Sequence, residues 1–111
     1  FDVAAYGAAG ALAGRPSEIL KFNAALMDGR LLSAQSLAAM TASSADEGYV
    51  ALGAWSFDAA LEGCARSVRL VERRGDIDAV EMRAILAPAL NRSLVIFSND
   101  ELASKAFCTP I

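Results

Sequence analysis

The chain has 111 residues, and 55% of them are hydrophobic, which suits one domain with one core. Because 24 of the hydrophobic residues are Ala, only 37 side chains of Cys or Val size and above are left to build that core. A net charge of −3 argues against a surface that follows nucleic-acid phosphates, and no uncharged run is long and apolar enough to span a bilayer. We therefore expect residues 1–111 to be a single domain or a fragment of one, with no nucleic-acid partner and no membrane span.

The inventory of reactive side chains excludes several kinds of site. The chain has no His, so Ser-His-Asp triads and His-ligated metals cannot form within it. Cys64 and Cys108 are too few for a four-cysteine zinc site, and they could equally form one disulfide or stay as small buried hydrophobic side chains. We expect no metal and no cofactor.

Helical signals dominate the first half of the chain. After a Gly- and Ala-rich loop over 6–14, Pro16 suits a first helical position and Asp28-Gly29 a helix stop, which predicts a helix over 16–28. Ser33 is a good N-cap and predicts a second helix over 33–42. The side chains expected to face inward are Ile19, Phe22 and Leu26 in the first helix, and Leu37 and Met40 in the second.

The second half changes to a strand pattern. Residues 50–57, 67–73, 79–87 and 93–98 are rich in β-branched and aromatic residues and are separated by turn residues, including Asn91-Arg92-Ser93 after Pro88. They predict an antiparallel meander. Alternation in the third strand indicates one buried and one partly wet face, and the fourth strand is apolar on both faces. We expect the first helix to cover one face of the fourth strand, and the terminal segment, with a helix over 100–107, to cover the other. The fold class is therefore α+β.

Several segments are informative because of their order. Small residues before a helix are followed by a Leu-rich stretch, then a strand with Gly and Trp, then Arg-Arg-Gly before a strand, a turn with Pro and a strand that ends in Asn. The segments are Ala9-Gly10-Ala11-Leu12 with Glu18-Ile19-Leu20-Lys21-Phe22, residues 26–33 with Leu37-Ala38-Ala39-Met40, residues 49–55, Arg73-Arg74-Gly75, and Pro88 to Asn99. This order resembles the C-terminal portion of the serine β-lactamase-like hydrolases, which include class C β-lactamases, the penicillin-binding-protein-like D-alanyl-D-alanine carboxypeptidases and related esterases.

The resemblance implies hydrolysis of an amide or ester through an acyl-serine intermediate, which needs a Ser with a Lys three residues later. The only lysines are Lys21 and Lys105, and the positions three residues before them hold Glu18 and Leu102. The Tyr-x-Asn or Ser-x-Asn element of the family is also missing. We therefore expect this chain alone to be inactive and the missing elements to lie upstream of Phe1.

The third element of the family matches Arg73-Arg74-Gly75. By resemblance, Arg73 would supply positive charge for a substrate carboxylate, the backbone N–H of Asp76 would help to form the oxyanion hole, and Gly75 would permit close approach of the backbone. The sequence departs from the family here, because Arg replaces the usual Lys or His and the usual Gly-Gly a few residues on is Asp78-Ala79.

A purely structural interpretation stays open for the same residues. Arg73 and Arg74 could be edge-strand charges paired with Glu72, Asp76 or Asp78, and Gly75 could form a β-bulge. Of the eight Arg residues, five fall within 66–83; such clustering suits binding of carboxylates, but solvated strand faces would explain it equally. Trp55 is interpreted as a core anchor of the sheet rather than as a substrate platform.

Two hypotheses follow from these patterns. In the first, the chain is the C-terminal segment of a bacterial serine hydrolase that acts outside the cytoplasm, as the resemblance implies, on a small molecule or peptide that carries a carboxylate. In the second, it is a non-catalytic α+β binding or interaction module related to that family. Under the first hypothesis its apolar surface would pair with the missing N-terminal part or with a second copy.

Overall fold

A computed structural model of the chain describes residues 3–10, 12–77 and 80–99. It contains two α-helices and four β-strands, together with short 3-10 segments at Val3–Ala9, Ala45–Glu47 and Pro88–Leu90. The helices and strands are α1 (Pro16–Met27), α2 (Ala34–Thr41), β1 (Trp55–Ala59), β2 (Val68–Ile77), β3 (Val80–Ala87) and β4 (Arg92–Ser98). The predicted α+β class with a four-stranded antiparallel meander is confirmed, and the predicted helix over 100–107 lies outside the described residues.

The four strands lie in the order β1-β2-β3-β4, each antiparallel to the next. Trp55 lies opposite Glu72 in the first pair, Arg74 opposite Arg83 in the second, and Arg83 opposite Ile96 in the third. The registers stay constant along each pair, so one face carries the odd-numbered residues of β1 and β3 with the even-numbered residues of β2 and β4, and the other face carries the remainder.

One face of the sheet, which we call the helix face, carries the core. Val71 of β2 and Leu86 of β3 are buried together with Leu26 of α1. Met27, Leu32, Met40 and Ala54 are partly buried around them, and α1 also packs against β4. This confirms that the first helix covers one face of β4.

Local chemistry explains where the helices begin and end. The Glu18 carboxylate accepts a hydrogen bond from the backbone N–H of Arg15 at 2.7 Å, just before Pro16 opens α1. Gly29, with φ of 84°, follows the helix and supplies a left-handed residue. In α2, the Ser33 hydroxyl accepts from the Ser36 backbone N–H at 3.1 Å, as expected of an N-cap.

The inward face predicted for α1 is partly wrong. Phe22 is exposed, whereas Asn23 is buried beside Leu26. The buried stripe runs through positions 19, 23, 26 and 27, which are spaced as one helical face, and Phe22 lies at its margin. The pattern of apolar residues thus predicted a buried Phe22, whereas the buried side chain is that of the next residue, the polar Asn23.

The predicted first strand, 50–57, is also wrong in its first half. Residues 49–51 fold back antiparallel to residues 54–56, through hydrogen bonds from the Ser56 N–H to the Tyr49 carbonyl at 2.9 Å and from the Ala51 N–H to the Ala54 carbonyl at 2.8 Å. Positive φ angles at Tyr49 and Gly53 allow this bend. The strand consequently starts at Trp55, while β2 runs four residues further than predicted.

The predicted burial of β3 and β4 needs two corrections. Glu81 and Arg83 lie on the face of β3 expected to be wet, but both are buried. Leu94 and Phe97 of β4 are 52% and 41% exposed, although this strand was expected to be covered on both faces. The terminal segment proposed as its second cover lies outside the described residues. The turn before β4 is confirmed, with Asn91 in the left-handed region at φ 50°.

Candidate functional site at the edge of strand β2

The residues singled out by the sequence lie together at one end of β2. β1 pairs only with Val68 to Glu72, so no described strand pairs with residues 73–77 on the β1 side. Arg73, Gly75 and Asp76 are all exposed there. The second half of β2 is therefore a solvent-facing sheet edge that carries the three predicted site residues.

Backbone hydrogen bonds fix which N–H groups point toward this edge. The Ser56 N–H bonds to Tyr49, away from β2, so the flanking residues of β1 direct their N–H groups toward β2. Glu72, opposite Trp55, must then direct its own N–H toward β1. Since N–H directions alternate along a strand, that of Asp76 points to the same side, beyond the end of β1. This is the orientation that an oxyanion donor at this edge requires.

Side-chain alternation separates the Asp76 carboxylate from Arg73. Arg73 and Gly75 share parity with Val71 and lie on the helix face, whereas Asp76 shares parity with Glu72 on the opposite face. The carboxylate therefore projects away from the face that carries Arg73. The bulge considered for Gly75 is absent, since Gly75 pairs regularly with Met82 and an added Cβ would lie 3.9 Å from the Met82 Cβ.

Arg73 is held by an aromatic ring rather than by a carboxylate of the described residues. Its Cζ lies over the Trp55 ring, 5.6 Å from the centroid, within the range of a cation–π contact. Trp55 is 37% exposed, so its interpretation as a core anchor is wrong. It begins β1 at the exposed corner of the sheet, where it positions Arg73 while the charge stays accessible.

Arg74 differs from its neighbour because it belongs to an ion-pair cluster on the other face. Its Nε and Nη2 donate to the Glu72 carboxylate at 3.0 and 3.1 Å, as the structural interpretation predicted for this pair. Arg83 donates to the same carboxylate, and Glu72 is only 1% exposed. Arg74 and Arg83 lie directly opposite each other, so Glu72 bridges two like charges.

The surroundings of Glu72 favour its charged form. Burial raises the pKa of its carboxyl, but the hydrogen bonds and positive charges of Arg74 and Arg83 outweigh burial and hold the pKa below its ordinary 4.5. Glu72 is thus a structural counter-ion and not a general base. The pairing of Glu72 with Arg83 was not predicted. No local sequence signal marks this pair, because the predicted second strand ended at Arg73 and the register that places Arg74 opposite Arg83 comes from the structure.

The same face carries an apolar groove with a volume of about 760 Å³, here called the sheet groove. The cluster of Glu72, Arg74 and Arg83 forms part of its wall. Its apolar lining comes from all four strands and the turn before β4, and includes Phe57, Leu70, Ile85, Leu90, Leu94 and Ile96.

The remaining residues considered in the sequence lie outside this site. Arg69 donates to the Asp58 carboxylate at 2.8 and 3.2 Å across β1 and β2, and so is a solvated ion pair. Cys64 is half-buried, and the disulfide considered for it is untested because Cys108 lies outside the described residues.

The part of the chain that the structure describes holds no cluster of three or more Cys, Asp or Glu residues able to bind a metal ion. None of its helices is long and apolar enough to cross a membrane.

Comparison of the chain with protein-family models, with curated proteins and with solved structures gave no match.

Proposed function

We propose that this chain supplies the sheet and one wall of the active site of a β-lactamase-like serine hydrolase, which cleaves an amide or ester through an acyl-serine intermediate. The observation that carries the proposal is the edge of β2, where an accessible Arg73 and the edge-directed N–H of Asp76 lie within four residues. The Ser-x-x-Lys pair would come from sequence outside these 111 residues.

Each residue of the edge has a distinct proposed role. Arg73 binds a carboxylate of the substrate, because a guanidinium offers a rigid pair of donors and keeps its charge at every working pH. It therefore orients substrate and does not exchange protons. The Asp76 N–H donates to the oxyanion as negative charge develops on the attacked carbonyl oxygen. Gly75, between them, leaves the edge without a side chain.

The absence of Ser-x-x-Lys favours a second candidate function, a non-catalytic module in which the same edge binds an extended peptide. Main-chain groups of an open strand edge can pair with a peptide, and Arg73 would recognise an acidic side chain or a C-terminal carboxylate. Both candidates use the same surface, so they differ only in whether a nucleophile is brought to it.

The test starts from the complete gene product. If it contains Ser-x-x-Lys, we expect a mass shift on incubation with a chromogenic β-lactam or an activated ester, and no such shift for the 111-residue chain. A covalent adduct on the short chain would contradict the proposed location of the nucleophile. A complete product without Ser-x-x-Lys would exclude the hydrolase and leave the peptide-binding module.

Substitutions in the active protein test the role of Arg73. Arg73→Ala should lower kcat/KM about tenfold or more for carboxylate-bearing substrates, since a charge-assisted hydrogen bond is worth about 1.5 to 3 kcal/mol, and should change neutral esters little. Arg73→Lys should restore part of the loss. Arg66→Ala is the matched control, because Arg66 is exposed in the loop before β2. Equal losses for charged and neutral substrates would make Arg73 a structural charge.

A further inference from the structure

Within the described residues, the far edge of the sheet lacks a bulge, a Pro and a Lys, three of the features by which proteins protect an open strand. β4 runs seven residues in constant register with β3, without a bulge, and its sequence Arg-Ser-Leu-Val-Ile-Phe-Ser contains no Pro and no Lys. No described strand pairs with its outer side. Its apolar centre includes two of the most exposed apolar side chains of the sheet, Leu94 and Phe97.

The directions of the backbone groups at this edge follow from those at β2. The Glu72 N–H points to β1, so Val71 and Arg73 bond to β3, and by alternation the odd-numbered residues of β3 bond to β4. Arg83, opposite Ile96, is one of them, so the even-numbered residues of β4 face β3. The outward-facing groups are therefore those of Ser93, Val95 and Phe97.

These three residues are symmetric about Val95. We infer that a second copy of this chain pairs with β4 through an antiparallel β4–β4 contact, with Val95 of each copy on the two-fold axis. Val95 then bonds to Val95 of the other copy, and Ser93 bonds to its Phe97. Such a pairing forms about six N–H···O bonds, three donated by each copy, and continues the sheet across the interface.

The side chains fit the same register. Leu94 lies opposite Ile96 of the second copy, so apolar meets apolar, and the small Ser93 lies opposite the large Phe97. Arg92 lies opposite Ser98 rather than opposite the other Arg92, so no like charges meet. If the two-fold axis passed through Leu94 instead, the charged Arg92 would lie opposite the apolar Ile96. If it passed between two residues, each residue would lie opposite one whose side chain is on the other face of the sheet. The sequence of β4 therefore favours a second copy centred on Val95.

Sedimentation of the 111-residue chain over a concentration series tests the association. We expect the mass to rise from 11.6 kDa toward twice that value. Hydrogen exchange then tests the register. Amides 94, 96 and 98 should be protected at every concentration, whereas amides 93, 95 and 97 should gain protection only at concentrations where the dimer forms.

Two substitutions at the edge separate association from folding. Val95→Pro removes an N–H that points outward, so the β3–β4 ladder should survive while dimerisation is lost. Leu94→Lys places a charge in the contact and should weaken association about tenfold or more. Leu52→Lys is the matched control, because Leu52 is exposed in the bend before β1 and should leave association unchanged.

Three outcomes would overturn the inference. The first is a mass that stays at 11.6 kDa at every concentration. The second is a dimer in which amides 93, 95 and 97 still exchange rapidly, which would place the contact elsewhere. The third is protection of these amides in the monomer, which would mean that another segment of the same chain covers the edge.

Discussion

Among single residues, Glu72 makes the contacts whose loss should cost the most stability. Its carboxylate accepts hydrogen bonds from Arg74 and from the buried Arg83. Glu72→Gln would leave Arg83 buried without a counter-charge, and removal of one partner from a buried ion pair costs about 3 kcal/mol. We therefore expect Glu72→Gln to lower the free energy of unfolding at pH 7 by about that amount, measured by urea titration followed by circular dichroism.

The same variant should change the pH dependence of stability. A carboxyl whose pKa is lowered by folding stabilises the folded state above its ordinary value of 4.5, and this contribution is lost as pH falls through the lower folded value. The parent chain should therefore lose stability below about pH 4.5 more steeply than Glu72→Gln does. Asp58→Asn, which breaks an exposed pair with Arg69, is the control and should cost less than 1 kcal/mol or so. Parallel pH profiles for parent and Glu72→Gln would contradict this assignment.

At the scale of elements, two glycines with opposite backbone requirements test the architecture around the edge of β2. Gly53 has φ of 78° in the bend before β1, so Gly53→Ala forces an L side chain into the left-handed region and should cost about 1 kcal/mol. Gly75 lies in regular strand with room for a Cβ, so Gly75→Ala should stabilise the fold by about 0.5 kcal/mol. Thermal unfolding of both variants measures the difference, and a loss of stability in Gly75→Ala would show that its strand geometry is strained.

Helix and strand boundaries could be predicted where neighbouring residues in the sequence determine them. Pro16 and Ser33 mark the helix starts by capping chemistry, and Asn91 marks the last turn, so these boundaries could be found from sequence. The bend before β1 could not be predicted, because it depends on a positive φ at Tyr49, and Tyr is a residue type that favours strands. The open edge of β2 could not be predicted either, because it results from the late start of β1 at Trp55 rather than at residue 50, which only the three-dimensional pairing shows.

At the scale of the whole molecule, the apolar side chains do not all serve one core. The apolar side chains on the helix face pack around Leu26, Val71 and Leu86, whereas the apolar side chains on the opposite face line the sheet groove. The composition suited a single core, and strand alternation divides the apolar residues between two faces without showing which face the helix covers. The helix face therefore carries the hydrophobic core, whereas the opposite face leaves apolar surface accessible beside the ion-pair cluster of Glu72, Arg74 and Arg83.

This division predicts where a small apolar probe binds the native chain. An anilinonaphthalene dye should bind in the sheet groove, and Leu90→Lys should weaken its binding about tenfold, because a charge at an apolar contact costs at least about 1 kcal/mol. Leu90 lies in the turn before β4 and lines the groove, so the change should spare the core. Leu12→Lys is the matched control, because Leu12 is 97% exposed and does not line the groove. Fluorescence titration with near-ultraviolet circular dichroism measures binding to the folded state; equal losses in both variants would show that the dye binds outside the groove.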